Sequence, residues 1–300
     1  VSMFYPINNI LIAQVSQPAQ TEKKPSAKDL IIDLLNEVKK LDLRSPSPAD
    51  SGFPDKMIRH VQKGDIKIVP MPGNFAGMGG AYDAASNTLF YKEFGPEFNK
   101  ALVHELYHAY QDAMVLPLTK ASEVEGPAIL ISIRYFLYSK GYRTPNFMAE
   151  HALLQTANPD WYKVLTPEKI SKLVEYALTN DAQVWEKGSM EMGDLYVRIG
   201  VLEDYVLSAV YLYVKSGATG PLEIPLKEGG KKLVLSEKDV IKLGLLHAQM
   251  LFAEMRMDWT EMAIAQTKLH SLWLDEISVK HLDVISDFDA NSKVLDGVSK

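Results

Sequence analysis

The chain alternates short stretches of two-residue apolar period with long stretches of helical period. Leu30, Leu34, Leu35, Val38 and Leu41 share one helical stripe, and Ser26 with Asp29 three positions on opens it as a capping box. Residues 44–55 (RSPSPADSGFPD) carry three Pro and one Gly and read as a loop. Residues 66–69 (IKIV) predict a short strand. A strand pair follows at 80–83 and 88–91, turning through Ser86–Asn87. Gly95–Pro96 then introduces a helix over 97–114, stopped before Pro117. The rest is almost all helical pattern: 122–140 closed by Gly141, a start at Thr166–Pro167, then 189–215, 236–255 opened by Ser236 and Asp239, and 260–274. Residues 222–235 (LEIPLKEGGKKLVL) predict a hairpin turning at Gly229–Gly230. No fixed-period repeat is present, so the expected class is α+β, with a small early sheet and a mostly helical second half.

Composition narrows the chemistry. At 300 residues with 47% apolar and 23% charged positions, an ordinary globular core can form. Thirty-two Lys and Arg stand against 38 Asp and Glu, a formal charge of −6 without a basic run, which disfavours a nucleic-acid partner. Cysteine is absent, so disulfides, thiol nucleophiles, iron–sulfur clusters and Cys-based zinc sites are excluded. A metal must therefore sit on His, Asp or Glu, and only seven His exist. No apolar run reaches the 18 or so residues that span a bilayer, so no integral membrane segment is expected. Residues 3–15 are mostly apolar and then give way to a polar, Pro-containing stretch; a basic start is missing and Asn8–Asn9 interrupts the run. A truncated secretory signal and a plain tail both fit. The expected organisation is a tail at 1–25, a sheet-bearing metal lobe at 26–145 and a helical lobe at 146–300. Export, secreted or periplasmic, is the expected localisation, with the cytoplasm as the alternative.

The densest chemistry lies in HELYH at 104–108, within a predicted helix. His104 and His108 are four positions apart, so both imidazoles leave the same helix face and can share one ion. Glu105 is close enough to reach a water on that ion. Leu102, Leu106, Ala109 and Ala113 form a separate apolar stripe that can bury against the sheet. The competing interpretation is a pair of satisfied core histidines.

This motif resembles the HExxH metallopeptidases, the zincins, in which both His bind zinc and the Glu between them is the general base. The continuation AYQDAM lacks the Gly and third His of the metzincin branch. In the gluzincin branch the third ligand is a Glu on the following helix. Residues 123–128 (EVEGPA) look like the Glu-Gly-x-Ala segment found there in peptidase MA-like members, and Glu125 matches that Glu. Glu123 is the alternative ligand, and Ser122-x-x-Glu125 could instead be a capping box, although Pro127 argues against so early a helix start. The resemblance implies a zinc-dependent peptidase acting on a peptide or protein, with His104, His108 and Glu125 on the metal and Glu105 as base. It also implies a Tyr or His donor for the oxyanion from the later half; His151, His247, Tyr135, Tyr138 and Tyr205 are candidates. In zincins an edge strand before the motif helix often holds an extended peptide, a role open to Tyr82 and the strands at 80–91. The alternative function is a catalytically silent zincin-fold protein whose zinc stabilises a peptide- or partner-binding module. Hydrolysis of a non-peptide amide is a third possibility.

Weaker signals add little. The Gly-rich stretch at 72–80 leads into a strand rather than a helix, which disfavours a phosphate loop. Asp287-x-Asp289-x-Asn291 begins like a calcium loop but has Ser292 and Val298 where Gly and Glu are needed. Met250, Met255, Met257 and Met262 read as adaptable core. Lys231–Lys232 reads as a solvated, edge-protecting pair. No G-x-S-x-G elbow is present.

Overall fold

The computed structural model describes residues 24–50, 52–71, 79–116, 118, 120–146, 150, 154, 165–285 and 288. The tail, most of the Gly-rich stretch, His151 and the Asp287–Asn291 motif lie outside them.

The fold is mixed α+β and mostly helical. Helix α1 (Ala27–Lys40) opens as expected: the Ser26 hydroxyl and the Asp29 carboxylate cap each other's backbone N–H. Its stripe Ile31, Leu34, Leu35 and Val38 is buried. Helix α2 (Phe53–Lys63) corrects the loop expected over 44–55. Pro54 sits in its first turn, where a missing N–H costs nothing, and Gly64 ends it in the left-handed region at φ 79°. Phe53, Met57 and Val61 form its buried stripe; each such side chain removed from water contributes roughly 1.5–3 kcal/mol.

Strands β1 (Lys67–Pro70), β2 (Gly80–Asp83) and β3 (Thr88–Tyr91) form one sheet in the order β1-β3-β2. β1 runs parallel to β3, with Lys67 opposite Thr88, and β2 runs antiparallel to it, with Tyr82 opposite Leu89. Asn87, at φ 48°, makes the turn between β2 and β3. β2 is at the edge of this sheet and lies against α3 (Pro96–Ala113), so close that a Cβ on Gly80 would come within 3.0 Å of Leu102.

Helix α4 (Ala121–Ser139) packs against α3. The alternative reading of Ser122 and Glu125 as a capping box does not hold. The helix starts a residue earlier, Lys120 is its N-cap, and the Lys120 N–H donates to Glu123 Oε2 at 3.3 Å. Pro127 is therefore inside the helix. Helix α5 (Pro167–Leu178) starts at the Thr166 cap. Helix α6 (Ala182–Lys215), capped by Asp181, begins seven residues before the expected start. β4 (Leu222–Pro225) and β5 (Lys232–Leu235) form the expected hairpin, with Gly229 in the left-handed region. Lys232 pairs with Glu223 and Lys231 with Asp283, both at the surface. Helices α7 (Glu237–Met255) and α8 (Trp259–Ser271) follow, then a π-turn over Leu272–Ile277, a 3₁₀ turn over Ser278–Lys280 and α9 (Leu282–Ile285). Met255 and Met257 are 79% and 75% exposed, which overturns their assignment to the core.

Two apolar cores result. One gathers α1 to α5, the sheet and the start of α6, as far as Met192; the other runs from Leu202 on α6 to Ile285. α6 is long enough to enter both. Among the described residues no helix is long and apolar enough to cross a membrane.

Candidate metal centre

Helix α3 divides its faces. Leu102, Val103, Leu106, Tyr107, Ala109 and Tyr110 are buried. Phe53 packs edge-on against Tyr107 and Tyr110, with ring centroids at 5.2 and 5.5 Å. The Tyr107 hydroxyl donates to Asp50 and that of Tyr110 to the Ala49 carbonyl. These contacts fix the rotation of α3 about its axis. His104, His108 and Gln111, at i, i+4 and i+7, consequently share the face turned to α4.

Glu125 meets them there. Its Oε2 lies 3.3 Å from His104 Nε2 and 3.5 Å from His108 Nε2, and the two Nε2 atoms are 2.9 Å apart. Three atoms bound to one tetrahedral zinc at about 2.0–2.2 Å would lie about 3.3–3.6 Å from one another; the two sides to Glu125 match this, and the side between the histidines, at 2.9 Å, is shorter. Glu125 Oε2 is buried without a hydrogen-bond partner, an orphan that a cation would satisfy. The donor set, two imidazoles and one carboxylate, suits zinc and leaves a fourth corner open. Glu123 is turned to the Lys120 cap and stays out of the cluster, so Glu125 is the acid that the fold brings to the histidines.

Hydrogen bonding sets the tautomer of His108. Gln111 Nε2 donates to the Val124 carbonyl at 2.9 Å, so its Oε1 is the atom 2.9 Å from His108 Nδ1. An amide oxygen only accepts, so Nδ1 carries the proton and a neutral ring presents a lone pair at Nε2. Burial opposes the charged form of Glu125, yet the two histidines hold its pKa at about 2. Burial likewise opposes a charged His108, but Glu125, Glu105 and Gln111 outweigh it and raise its pKa.

Glu105 sits one step along α3, and its Oε2 accepts the Tyr82 backbone N–H from β2 at 2.9 Å. Burial raises its pKa, opposed by His104 and His108 and reinforced by Glu125.

The candidate oxyanion donors among the described residues are engaged elsewhere. The Tyr205 hydroxyl donates to the Pro225 carbonyl, Tyr138 stacks on Arg134 and Arg143, Tyr135 is buried beside Glu37 and Asn99, and His247 lies against Tyr211 on α7. Tyr196 on α6, which the sequence does not single out, lies in the field of the same acids. Although 38% of its surface is exposed, its phenol is desolvated, and Glu125 and Glu105 raise its pKa further. Its position follows from a close helix crossing. A Cβ on Gly126 would stand 1.9 Å from the Ser189 carbonyl oxygen, and one on Gly193 would stand 2.1 Å from that of Ser122. Ser189, Gly193 and Tyr196 follow at i, i+4 and i+7 on that face of α6.

No family model, curated protein or solved structure matches the chain.

Proposed function

We propose that the protein is a zinc-dependent metallopeptidase of the gluzincin kind that residues 104–108 and 123–128 resemble. The observation that carries this reading is the Nε2, Nε2, Oε2 triangle with the Glu105 carboxylate anchored beside it. The order of the fold, a small sheet with β2 at its edge, then α3, then α4, supports a zincin-like architecture.

His104, His108 and Glu125 would hold the zinc. When bound, zinc supplies a Lewis acid that lowers the pKa of a coordinated water to about 7. The side chains of the protein do the rest. Gln111 keeps the proton of His108 on Nδ1 and so keeps Nε2 available. The Tyr82 N–H holds Glu105 Oε2, which leaves Oε1 to take a proton from the attacking water. Glu105 then passes that proton to the leaving amine. Its raised pKa brings it nearer to a working pH close to neutral, where a base that must also act as an acid is most effective. Tyr196 supplies an O–H donor for the carbonyl oxygen as it gains charge.

The test is zinc content together with cleavage of an unfolded protein mixture, for the wild type and Glu105→Gln. Zinc retained in both, with cleavage lost in the variant and in the chelated wild type, is the expected result. Equal cleavage by both proteins rejects Glu105 as base. Stoichiometric zinc without cleavage by the wild type rejects the peptidase.

A further inference from the structure

A concave site lies on the side of α4 away from the His104, His108 and Glu125 cluster. Arg134 follows Glu125 by nine residues, which on a helix is two and a half turns, about 13 Å along the axis, and half a rotation. The two side chains therefore leave α4 on opposite faces. A cavity of about 430 Å³ opens there, lined by Arg44, Arg134, Tyr138, Arg143 and Asn180 together with Asp42. Its size is in the range of small-molecule sites.

The charge in this cavity is not balanced. Three guanidiniums against one carboxylate leave a net charge of +2. Arg44 takes up the carboxylate: its Nε lies 2.8 Å from Asp42 Oδ1. Arg134 donates instead to the Thr179 carbonyl at 2.7 Å and to Asn180 Oδ1 at 2.8 Å, and Arg143 donates to the Leu41 carbonyl at 2.8 Å. These acceptors are neutral. Both guanidiniums stack on the one ring of Tyr138, at 5.0 and 3.8 Å from its centroid.

Arg134 is the notable member. It is only 3% exposed, yet its Nε has no hydrogen-bond partner. Burial pushes its guanidinium below the usual value and the like charge of Arg143 adds to this, against Tyr138 and Asp42. A buried guanidinium is ordinarily matched by an anion, and its planar fork fits the oxygens of one. A monocarboxylate would offset one of the two unmatched charges. A phosphate dianion offsets both and has oxygens enough for two forks.

We propose that this pocket binds a phosphate group, free or carried by a small phosphorylated molecule. The site is independent of the metal cluster.

The test is calorimetric titration of the full-length chain with inorganic phosphate and with glycerol 3-phosphate at constant ionic strength. It is run before and after chelator treatment, so that phosphate held by zinc is set apart. Saturable binding of one equivalent that survives chelation is expected, and the tighter of the two ligands identifies the source. Arg143 is exposed, so Arg143→Gln should fold normally and weaken binding at least tenfold. Asp42→Asn removes the one acid of the pocket and should tighten binding several-fold. The proposal is overturned if neither ligand saturates the chelated protein, or if Arg143→Gln binds as the wild type does.

Discussion

Gln111 Oε1 lies 2.9 Å from His108 Nδ1, while the amide of the same side chain donates to the carbonyl of Val124, the residue before Glu125. One buried side chain thus orients a histidine on α3 and ties down the turn of α4 that carries the carboxylate. Such outer partners typically contribute 10–100-fold to metal affinity. Gln111→Ala should lower zinc affinity by about that factor in a chelator competition. It should also cost about 1–3 kcal/mol in denaturant unfolding, because the buried Nδ1–H of His108 loses its acceptor and the Val124 carbonyl loses one donor. Unchanged zinc affinity would show that His108 is oriented without Gln111.

The crossing of α4 and α6 is a matter of backbone contact. At Gly126 and Gly193 a methyl group would be driven into a carbonyl of the facing helix, which cannot move aside as a side chain can. Gly126→Ala and Gly193→Ala should each destabilise by about 3 kcal/mol or more, the upper part of the overpacking range. Gly200, also on α6, has nothing within 4 Å of its would-be Cβ. There Ala should stabilise by about 0.5–1 kcal/mol through helix propensity. Thermal melts of the three variants decide the matter. A mild effect at Gly126 or Gly193 would mean that the helices lie farther apart than they do here.

Tyr196 and Tyr205 are both on α6, but only Tyr196 lies in the field of Glu125 and Glu105; Tyr205 donates to the Pro225 carbonyl. If Tyr196 stabilises the developing oxyanion, Tyr196→Phe should lower kcat by about 10²–10³-fold with KM and zinc content little changed. Tyr205→Phe should leave kcat as it is. A rise in KM at constant kcat would make Tyr196 a substrate-binding group rather than a transition-state donor.

What could be read from the sequence was what is local. The Ser26, Thr166 and Ser236 caps, the Asn87 and Gly229 turns and the two faces of the HELYH helix all depend on residues within a turn or two of one another. The misses have tertiary causes. α6 begins early across Gly188, which looks like a breaker but is where the ring of Tyr176 presses, 2.3 Å from a would-be Cβ. Pro127 looks like a boundary, yet the cap of α4 is made upstream by Glu123. α2 was the avoidable error, since Phe53, Met57 and Val61 with Gly64 behind them spell a helix once Pro54 is seen as a start rather than a stop. Glu125 was readable only through resemblance, because no spacing rule tells which acid of α4 will face α3. Tyr196 needed the crossing of α4 with α6, whose glycine contacts join residues about 63 and 71 positions apart, Gly126 with Ser189 and Ser122 with Gly193.

Asp50 offers a test of the core behind α3. It is 6% exposed and accepts hydrogen bonds from Ser45 and Tyr107. Burial raises its pKa, and those two bonds only partly oppose the shift. In the range between the ordinary value and the raised one, the folded chain binds more protons than the unfolded chain, so stability falls as pH rises. The contribution is full below the ordinary carboxylate range and is lost as pH passes the folded value. Asp50→Asn stays neutral throughout and can still accept from Tyr107. The stability of the variant relative to the wild type should therefore increase between about pH 4 and about pH 7 in urea unfolding of the chelated proteins. Asp50→Ala should instead cost about 1–3 kcal/mol, because it strands the Tyr107 hydroxyl. A flat or falling difference between the Asn variant and the wild type would mean that Asp50 is ionised in the folded protein at no cost.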